Sequence, residues 1–335
     1  MTTTVAFRVT CGGDCGWGHW MRTLTLLDAL RTKRPRCRSA VIFNGPVQAV
    51  DLARERLGAL DEISFHPLMD GDEDFFHADP SFDVAVLDRL ERRQPHLDLW
   101  RLRAGKLAVF DDMGCIAEGA DVVIRPQLLP SGSGAVRWGR LLYGPQYFPI
   151  AAAWLGLRES YDLDRADRLV VCLGGGTTNR LGYLVAAEAL RLSEGIDKRA
   201  ITFVLGYELG RSNLPKILRE VLGDVEVLGA ANLPVLLKSA RLALIAGGFI
   251  KYDVACAGIP NVIVSGPDHQ TVLAHAFADA GAGVYAGRIN QLPPHRLSQT
   301  LQALWHDSDT LKDLSRAGKQ LVDGLGTDRI LEHLL

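Results

Sequence analysis

The chain has 335 residues, of which 47% are apolar and 23% charged, and its formal net charge is −2. This length accommodates two ordinary domains, and the composition is that of a globular protein with a buried core. The charge balance excludes the strongly basic surface typical of nucleic-acid-binding proteins. No run approaches eighteen uninterrupted apolar residues, the length that predicts a membrane span.

The N-terminal residues and the cysteines indicate the cellular compartment of the protein. The first ten residues, MTTTVAFRVT, lack the basic start and apolar stretch of a signal peptide. The six cysteines are scattered without the spacing of a disulfide framework. We therefore expect reduced thiols and a cytoplasmic protein.

The first half of the chain alternates short apolar runs with longer amphipathic stretches. Strands are predicted for TVAFRV, SAVIFN, FDVAVLD, KLAVFDD and ADVVIRP. Helices are predicted for HWMRTLTLLDALRTK, PVQAVDLARERLGA and LDLWRLRAG, where apolar residues recur at helical spacing. This alternation predicts a parallel sheet with helices on both faces.

The composition shifts at residues 129–160, which we interpret as the crossing into a second domain of the same kind. Strands are predicted there for RLVVCLGG, AITFVLG, DVEVLG, LALIAGG and PNVIVSG, and the tail from Pro294 is mostly helical. We therefore predict an α/β protein of two Rossmann-like domains, residues 1–145 and 146–335, facing a cleft. The last helix could pack back onto the first domain. Ligands of such folds bind at the carboxyl ends of the strands.

The segment CGGDCGWGHW, residues 11–20, follows the first predicted strand and contains four glycines. It could be a phosphate-binding loop, a Cys/His metal site, or a turn that presents His19. The dinucleotide fingerprint requires a third glycine where Met21 stands and an acidic residue after the second strand, which ends at Asn44. A nicotinamide or flavin site is therefore disfavoured, and the Walker pattern is absent from the sequence.

A metal site would use Cys11, Cys15 and His19, which are spaced by four residues. These side chains would share one face only on a helix, and the four glycines oppose a helix through this segment. No fourth ligand is suggested elsewhere by a paired metal-binding motif. We therefore predict no metal and no other cofactor.

The remaining interpretation places His19 in the first turn of a helix. The positive end of the helix dipole favours a neutral imidazole, which is what a general base requires. Arg22 projects from the same helix face and could meet a phosphate or a carboxylate. The alternative is a capping histidine beside a surface arginine, and the spacing leaves both open.

The second half contains two glycine turns, CLGGGTTN and LIAGGFIKYD, each placed between a predicted strand and a helix. Such turns donate backbone N–H groups to phosphate at the helix start. Two of them in one domain indicate a nucleotide diphosphate.

Together these motifs resemble a known family. GWGHWMR resembles the G-x-G-H-x-x-R signature of nucleotide-sugar enzymes with the glycosyltransferase-B fold. The motifs resemble in particular those of the UDP-sugar hydrolase of the pseudaminic acid pathway and its relatives in spore-coat polysaccharide synthesis. AVLD at 85–88 and VFDDMGCIAEGADVVIRPQ at 109–127 are similar to the family's strand-end aspartates. YGPQY and the closing VDGLGTDRI are similar to its linker and its last motif.

The resemblance implies that the second domain binds the UDP half of a nucleotide sugar. It implies that His19, together with Arg22, acts near the anomeric carbon, where His19 activates water to displace UDP with inversion and without a metal. It also implies substrate or nucleotide contacts for a wider set: Gly16, Gly18, Asp88, Asp112, Gly174, Gly175, Gly176, Thr177, Gly247, Gly248, Phe249, Ile250, Tyr252, Asp253, His269 and Gln270.

The chain departs from the family pattern in the second glycine turn. Phe249 and Ile250 stand where the family has Ser-Thr, so two hydroxyls that could contact phosphate are lost. The following Trp-Glu is Tyr252-Asp253, which shortens the carboxylate expected to hold the ribose. These changes leave the sugar and the base undetermined.

Three functions fit the sequence. The first is a metal-independent nucleotide-sugar hydrolase that releases a free deoxyamino sugar for a surface glycan. The second is a glycosyltransferase in which His19 acts on an acceptor hydroxyl, and the third is a non-catalytic nucleotide-sugar binding protein. The expected partner is a nucleotide sugar, most simply a UDP-sugar, and not a nucleic acid. The oligomeric state is left open.

Overall fold

The computed structural model describes most of the chain, namely residues 3–12, 16–46, 48–58, 63–68, 81–89, 94–113, 119–129, 139–174, 176, 179–230 and 232–335. The chain divides into two compact units. The first is Met1–Ile150 together with Gly324–Leu335, and the second is Ala151–Asp323. The sequence places the division at 145/146, five residues earlier, and assigns the terminal segment to the second domain.

The first unit is built on a parallel sheet. Its described strands are β1 Thr4–Thr10, β2 Arg38–Asn44, β3 Ile63–Pro67, β4 Phe82–Asp88, β5 Ala104–Phe110, β6 Val122–Arg125 and β7 Arg140–Tyr143. They lie in the order β3-β2-β1-β4-β5-β6-β7, and each pairing is parallel. The helices are α1 Gly18–Lys33, α2 Gln48–Leu57, α3 Gln94–Arg103 and the C-terminal α13 Gly326–Leu334, with a 3₁₀ turn at Pro145–Tyr147.

Strands β1 and β4 are buried on both faces, which explains their continuous apolar sequences. Val5, Phe7 and Val9 of β1 pack with α1 in one core, whereas Ala6 belongs to a second core that includes Trp100 of α3. Alternate residues of a strand point to opposite faces, so each strand contributes to both cores.

The second unit repeats this arrangement. Its strands are β8 Arg168–Cys172, β9 Ile201–Leu205, β10 Glu226–Gly229, β11 Ala240–Ala246, β12 Asn261–Ser265 and β13 Val284–Arg288. Its helices are α4 Ala152–Ser160, α5 Arg180–Leu192, α6 Tyr207–Gly210, α7 Leu214–Leu222, α8 Leu233–Leu237, α9 Ile250–Ala257, α10 Asp268–Asp279, α11 Pro294–His306 and α12 Ser308–Leu321, with a 3₁₀ turn at Lys198–Ala200.

Both sheets have the strand order of a Rossmann fold. The second sheet runs β10-β9-β8-β11-β12-β13, so in each unit the first strand lies beside the fourth. The chain reverses direction across the sheet at this pair, and the crevice beyond the carboxyl ends of the two strands is the usual ligand site. The prediction of two Rossmann-like α/β domains is confirmed. The sequence did not name β3, β7 or β13 as strands, because each is short and lies at or near an edge of its sheet.

The last helix, α13, belongs to the first unit. Ile330, Leu331 and Leu334 are buried in the same core as α1. Lys106 of β5 donates hydrogen bonds to the carbonyl oxygens of His333 (3.2 Å) and Leu334 (3.1 Å). A cation at the negative end of a helix is favourable, so this lysine stabilises the docked helix.

Among the described residues, the helices are all too short or too polar to cross a membrane.

Two adjacent leucines test the docking of α13. Leu334 is 1% exposed and Leu335 is 41% exposed. We expect Leu334→Ala to lower the unfolding free energy of the first unit by about 2–5 kcal/mol, because it leaves a cavity in the core. The matched control Leu335→Ala should change it by less than about 0.5 kcal/mol. Urea unfolding followed by tryptophan fluorescence measures both, and equal effects would contradict the docked helix.

Candidate active site

The loop between β1 and α1 brings His19 to the carboxyl edge of the first sheet. Gly12 and Gly16 bridge across the loop, with the Gly12 N–H donating to the Gly16 carbonyl at 2.8 Å. Gly12 has a φ of +80°, and a Cβ there would lie 2.7 Å from the ring of Pro46, so this position requires glycine. Helix α1 begins at Gly18 and places His19 in its first turn.

His19 forms a short hydrogen bond with Asp88. Its Nδ1 lies 2.6 Å from Oδ1 of Asp88, the last residue of β4, and both side chains are buried. An ionised carboxylate can only accept hydrogen bonds, so Nδ1 carries the proton of this contact. In the neutral imidazole the lone pair is then on Nε2. This is the tautomer and orientation that a general base needs.

Arg22 joins two carboxylates at the centre of the site. Its Nε donates to Oδ2 of Asp88 at 2.7 Å, and its Nη1 and Nη2 donate to the two oxygens of Asp112 at 2.9 and 2.8 Å. The Arg22 side chain is 1% exposed. The alternative of a surface arginine is therefore wrong. Arg22 meets carboxylates, as expected, but those carboxylates belong to its own chain.

Phe110 completes the surroundings of Arg22. The guanidinium carbon lies 4.0 Å from the centre of the Phe110 ring, within the range of a cation–π contact. Phe110 ends β5, and Asp112 follows two residues later. Three neighbouring strands, β1, β4 and β5, therefore position the groups around Arg22.

The fully buried charges of the first unit balance in the described residues. They are the guanidinium groups of Arg8, Arg22 and Arg125 and the carboxylates of Asp88, Asp111 and Asp112. Arg125 pairs with Asp111 at 2.7 Å, separately from the Arg22 network. Within the Arg22 network itself, one guanidinium lies between two carboxylates, and His19 contacts the carboxylate of Asp88.

The ionisation of the network follows from these contacts. Burial alone would raise the pKa of Asp88, but the charge of Arg22 and the hydrogen bonds from His19 and Arg22 hold that pKa below its ordinary value. Burial alone would lower the pKa of Arg22, but Asp112 and Asp88 outweigh it and raise the pKa further. Arg22 and Asp88 therefore remain an ion pair at neutral pH.

The same cluster of side chains could in principle bind a metal ion. His19, Asp88 and Asp112 each offer a ligand atom, and these atoms lie within 4.8 Å of one another. All four carboxylate oxygens, however, already accept hydrogen bonds from the Arg22 guanidinium. A divalent cation would have to approach that positive charge, so the cluster fits an arginine better than a metal. Of the earlier metal candidates, Cys11 is buried and Cys15 lies outside the described residues.

In the second unit, the two glycine turns follow the adjacent strands β8 and β11. Gly174 and Gly176 are in the first turn, and a Cβ on Gly174, whose φ is +92°, would lie 3.1 Å from the side chain of Asn179. Gly175 and Thr177, also predicted as nucleotide contacts, lie outside the described residues. The two turns therefore follow the pair of strands at which the chain reverses across the sheet, the usual ligand position of this fold.

Helix α10 packs against the second turn. A Cβ on Gly247 would lie 3.2 Å from the carbonyl oxygen of Gln270, and one on Gly248 would lie 4.0 Å from the Gln270 amide nitrogen. The structure thus brings Gln270 to the Gly247-Gly248 turn. His269 is half-buried beside it in the first turn of α10.

The remaining predicted residues lie at the start of α9. Phe249, Ile250 and Asp253 are half-buried. Tyr252, expected among the nucleotide contacts, instead occupies the core: it is fully buried and packs edge-to-face on Phe277, with ring centres 5.3 Å apart. Helical spacing explains this, because residues 252 and 253 cannot lie on the same helix face.

One contact and one residue were not identified from the sequence. The partnership of His19 with Asp88 was missed, although the Rossmann strand order, which places the fourth strand beside the first, would have predicted it. Lys251 was also missed. It is fully buried at the second glycine turn, and a lysine three residues after the Gly247-Gly248 pair matches no motif that predicts its role.

The ion pair predicts a specific pH dependence of stability. Because the folded-state pKa of Asp88 is lowered, the ionised group contributes stability that is fully present above its unfolded-state pKa of about 3.9 and is lost as the pH falls through the folded-state value. We expect Asp88→Asn to cost about 3–5 kcal/mol at neutral pH. The difference from wild type should shrink below about pH 4.

Urea unfolding at a series of pH values measures this difference. The control is Asp279→Asn, which removes an exposed carboxylate. A difference between wild type and Asp88→Asn that stays constant down to pH 3 would contradict the ion pair.

No family model matches the chain. It is 30% identical over 193 residues to the spore coat polysaccharide biosynthesis protein SpsG of Bacillus subtilis (strain 168), and the match spans 57% of this chain and 57% of SpsG. The resemblance to the spore-coat relatives is thereby confirmed for somewhat more than half of each chain.

Solved structures match almost the whole chain. Acinetobacter baumannii MurG has a TM-score of 0.66 at 15% identity and covers 99% of both chains. S. aureus MnaA, solved with UDP, has a TM-score of 0.63 at 10% identity and covers 99% of this chain and 95% of its own. The two parallel sheets and their helices are thus those of the glycosyltransferase-B fold, and the chain is similar in sequence to a protein of spore-coat polysaccharide biosynthesis.

Proposed function

We propose that this protein is a nucleotide-sugar hydrolase of polysaccharide biosynthesis that releases UDP and a free sugar without a metal. The observation that carries the proposal is the buried contact between His19 Nδ1 and Asp88, which directs the lone pair of His19 to Nε2. Arg22 supports the proposal because it holds Asp88 ionised and in place, and Asp112 in turn holds Arg22.

The proposed reaction is one displacement at the anomeric carbon. His19 Nε2 takes a proton from water, and the water oxygen forms a bond to C1 of the sugar. The bond between C1 and the diphosphate oxygen breaks, and UDP leaves with the electron pair. Attack from the face opposite the leaving group inverts the configuration at C1. His19 is the catalytic residue, and Asp88, Arg22 and Asp112 are positioning residues.

We assign the UDP half to the glycine turns of the second unit. Backbone N–H groups at two helix starts can bind the diphosphate and stabilise the charge that develops as it leaves. Gln270, beside Gly247 and Gly248, adds a polar side chain at the same place. UDP is favoured because S. aureus MnaA and Anabaena HepE, both similar in fold, were solved with UDP.

A glycosyltransferase is the second candidate, since the spinosyn rhamnosyltransferase SpnG is among the proteins of similar fold, with a TM-score of 0.63. In that case an acceptor hydroxyl replaces water, and the same His19 takes its proton. An acceptor-free assay separates the two. The protein is incubated with a panel of UDP-linked N-acetylated sugars, and proton NMR follows UDP release and the anomeric signal.

We expect release of UDP without any acceptor, with the first-formed free sugar inverted at C1. If every donor in the panel binds but none is hydrolysed, the hydrolase assignment is wrong. Activity should persist in EDTA, because the arginine-centred network needs no metal.

His19→Gln tests the base. We expect turnover to fall by about 10²–10⁴-fold, as is typical when a general base is removed, while the Kd for UDP stays unchanged. His295→Gln, on helix α11 of the second unit, is the matched control and should leave turnover unaltered. Full turnover by His19→Gln would contradict the proposed chemistry, whereas ligand binding without turnover by wild type and variant alike would favour a binding protein.

A further inference from the structure

Lys251 is a buried cation at the second glycine turn. Its side chain is fully buried, and its ammonium donates hydrogen bonds to the carbonyl oxygens of Gly247 and Gly248, both at 3.0 Å. Within the described part of the second unit, it is the one charged side chain among the fully buried residues. A buried ammonium group at this turn is therefore unusual, and it lies at the diphosphate site proposed above.

The two hydrogen bonds fix the direction of two peptide groups. In a trans peptide the N–H points opposite to the C=O of the same plane, and the described chain has no cis bonds. The carbonyls of Gly247 and Gly248 point to Lys251. The N–H groups of Gly248 and Phe249 therefore point away from it, as two neighbouring donors.

Two features concentrate positive charge at this position. Burial of an ammonium group is costly, and Lys251 lies in the first turn of α9, where the helix dipole is itself positive. An anion on the N–H side of the turn would offset both effects. The turn with its lysine is thus better suited to a phosphate than to an uncharged ligand.

We propose that Lys251 is a positioning residue for the diphosphate of the nucleotide. It orients the Gly248 and Phe249 amides and places a positive charge behind them. This inference rests on the proposed function, in which the second unit binds UDP. It also explains how the turn could bind phosphate without the two hydroxyls of the family. The apolar side chains of Phe249 and Ile250 cannot attract phosphate, and the positive charge of Lys251 does so instead.

A purely structural role would have a different signature. If Lys251 only stabilised the packing of the turn on helix α9, its loss would weaken the binding of every ligand of the second unit to the same extent. If it acts on the diphosphate, the loss depends on the phosphates of the ligand. UDP and uridine, which share the base and the ribose, separate the two roles.

The experiment measures the Kd of UDP and of uridine by NMR titration for wild type, Lys251→Met and Lys238→Met. The last is the matched control, because it removes one positive charge from an exposed position. For Lys251→Met we expect UDP binding to weaken by about tenfold or more and uridine binding to change by less than about twofold. Lys238→Met should match wild type for both ligands.

Two results would overturn the inference alone: unchanged UDP binding by Lys251→Met, or equal losses for UDP and uridine. If wild type binds neither UDP nor inorganic pyrophosphate, the proposed function fails, and this inference fails with it. Should Lys251→Met not fold, Lys251→Gln is used, since its amide can still donate to the carbonyls. It should weaken UDP binding several-fold and leave uridine binding unchanged, and equal effects would again overturn the inference.

Discussion

The Arg22 guanidinium between Asp88 and Asp112 is the interaction on which the proposed chemistry depends. It keeps Asp88 ionised, and an ionised Asp88 fixes the orientation of His19. The network is buried, so its charges act in a medium of low dielectric constant and hold one another firmly. Loss of Arg22 would leave two buried carboxylates without their cation, so the three positions depend on one another.

The strand order explains how the network forms. His19 and Arg22 follow β1, Asp88 ends β4, and Asp112 follows β5, and these three strands are neighbours. The second unit uses the same order differently, with glycine turns after its first and fourth strands. One topology thus supplies a side-chain network in the first unit and a set of backbone donors in the second.

Much of the fold followed from the sequence, because buried parallel strands have continuous apolar runs and their helices have clear periodicity. The sequence left open whether the last helix packs back onto the first domain, because no local signal marks a helix that packs on a distant segment, and α13 does so through Ile330 and Leu334. His19 was recognisable from its glycine loop. The burial of Arg22 was not, since its two carboxylates lie 66 and 90 residues away in the chain.

The central claim is that Asp88 accepts the Nδ1–H of His19, so that the lone pair of the neutral imidazole is on Nε2. Nitrogen-15 NMR of the histidine side chains in the free protein measures this directly. We predict that at neutral pH His19 is neutral and protonated at Nδ1, and that Asp88→Asn loses this preference. A His19 that is protonated at Nε2 alone, or at both nitrogens at neutral pH, would contradict the account.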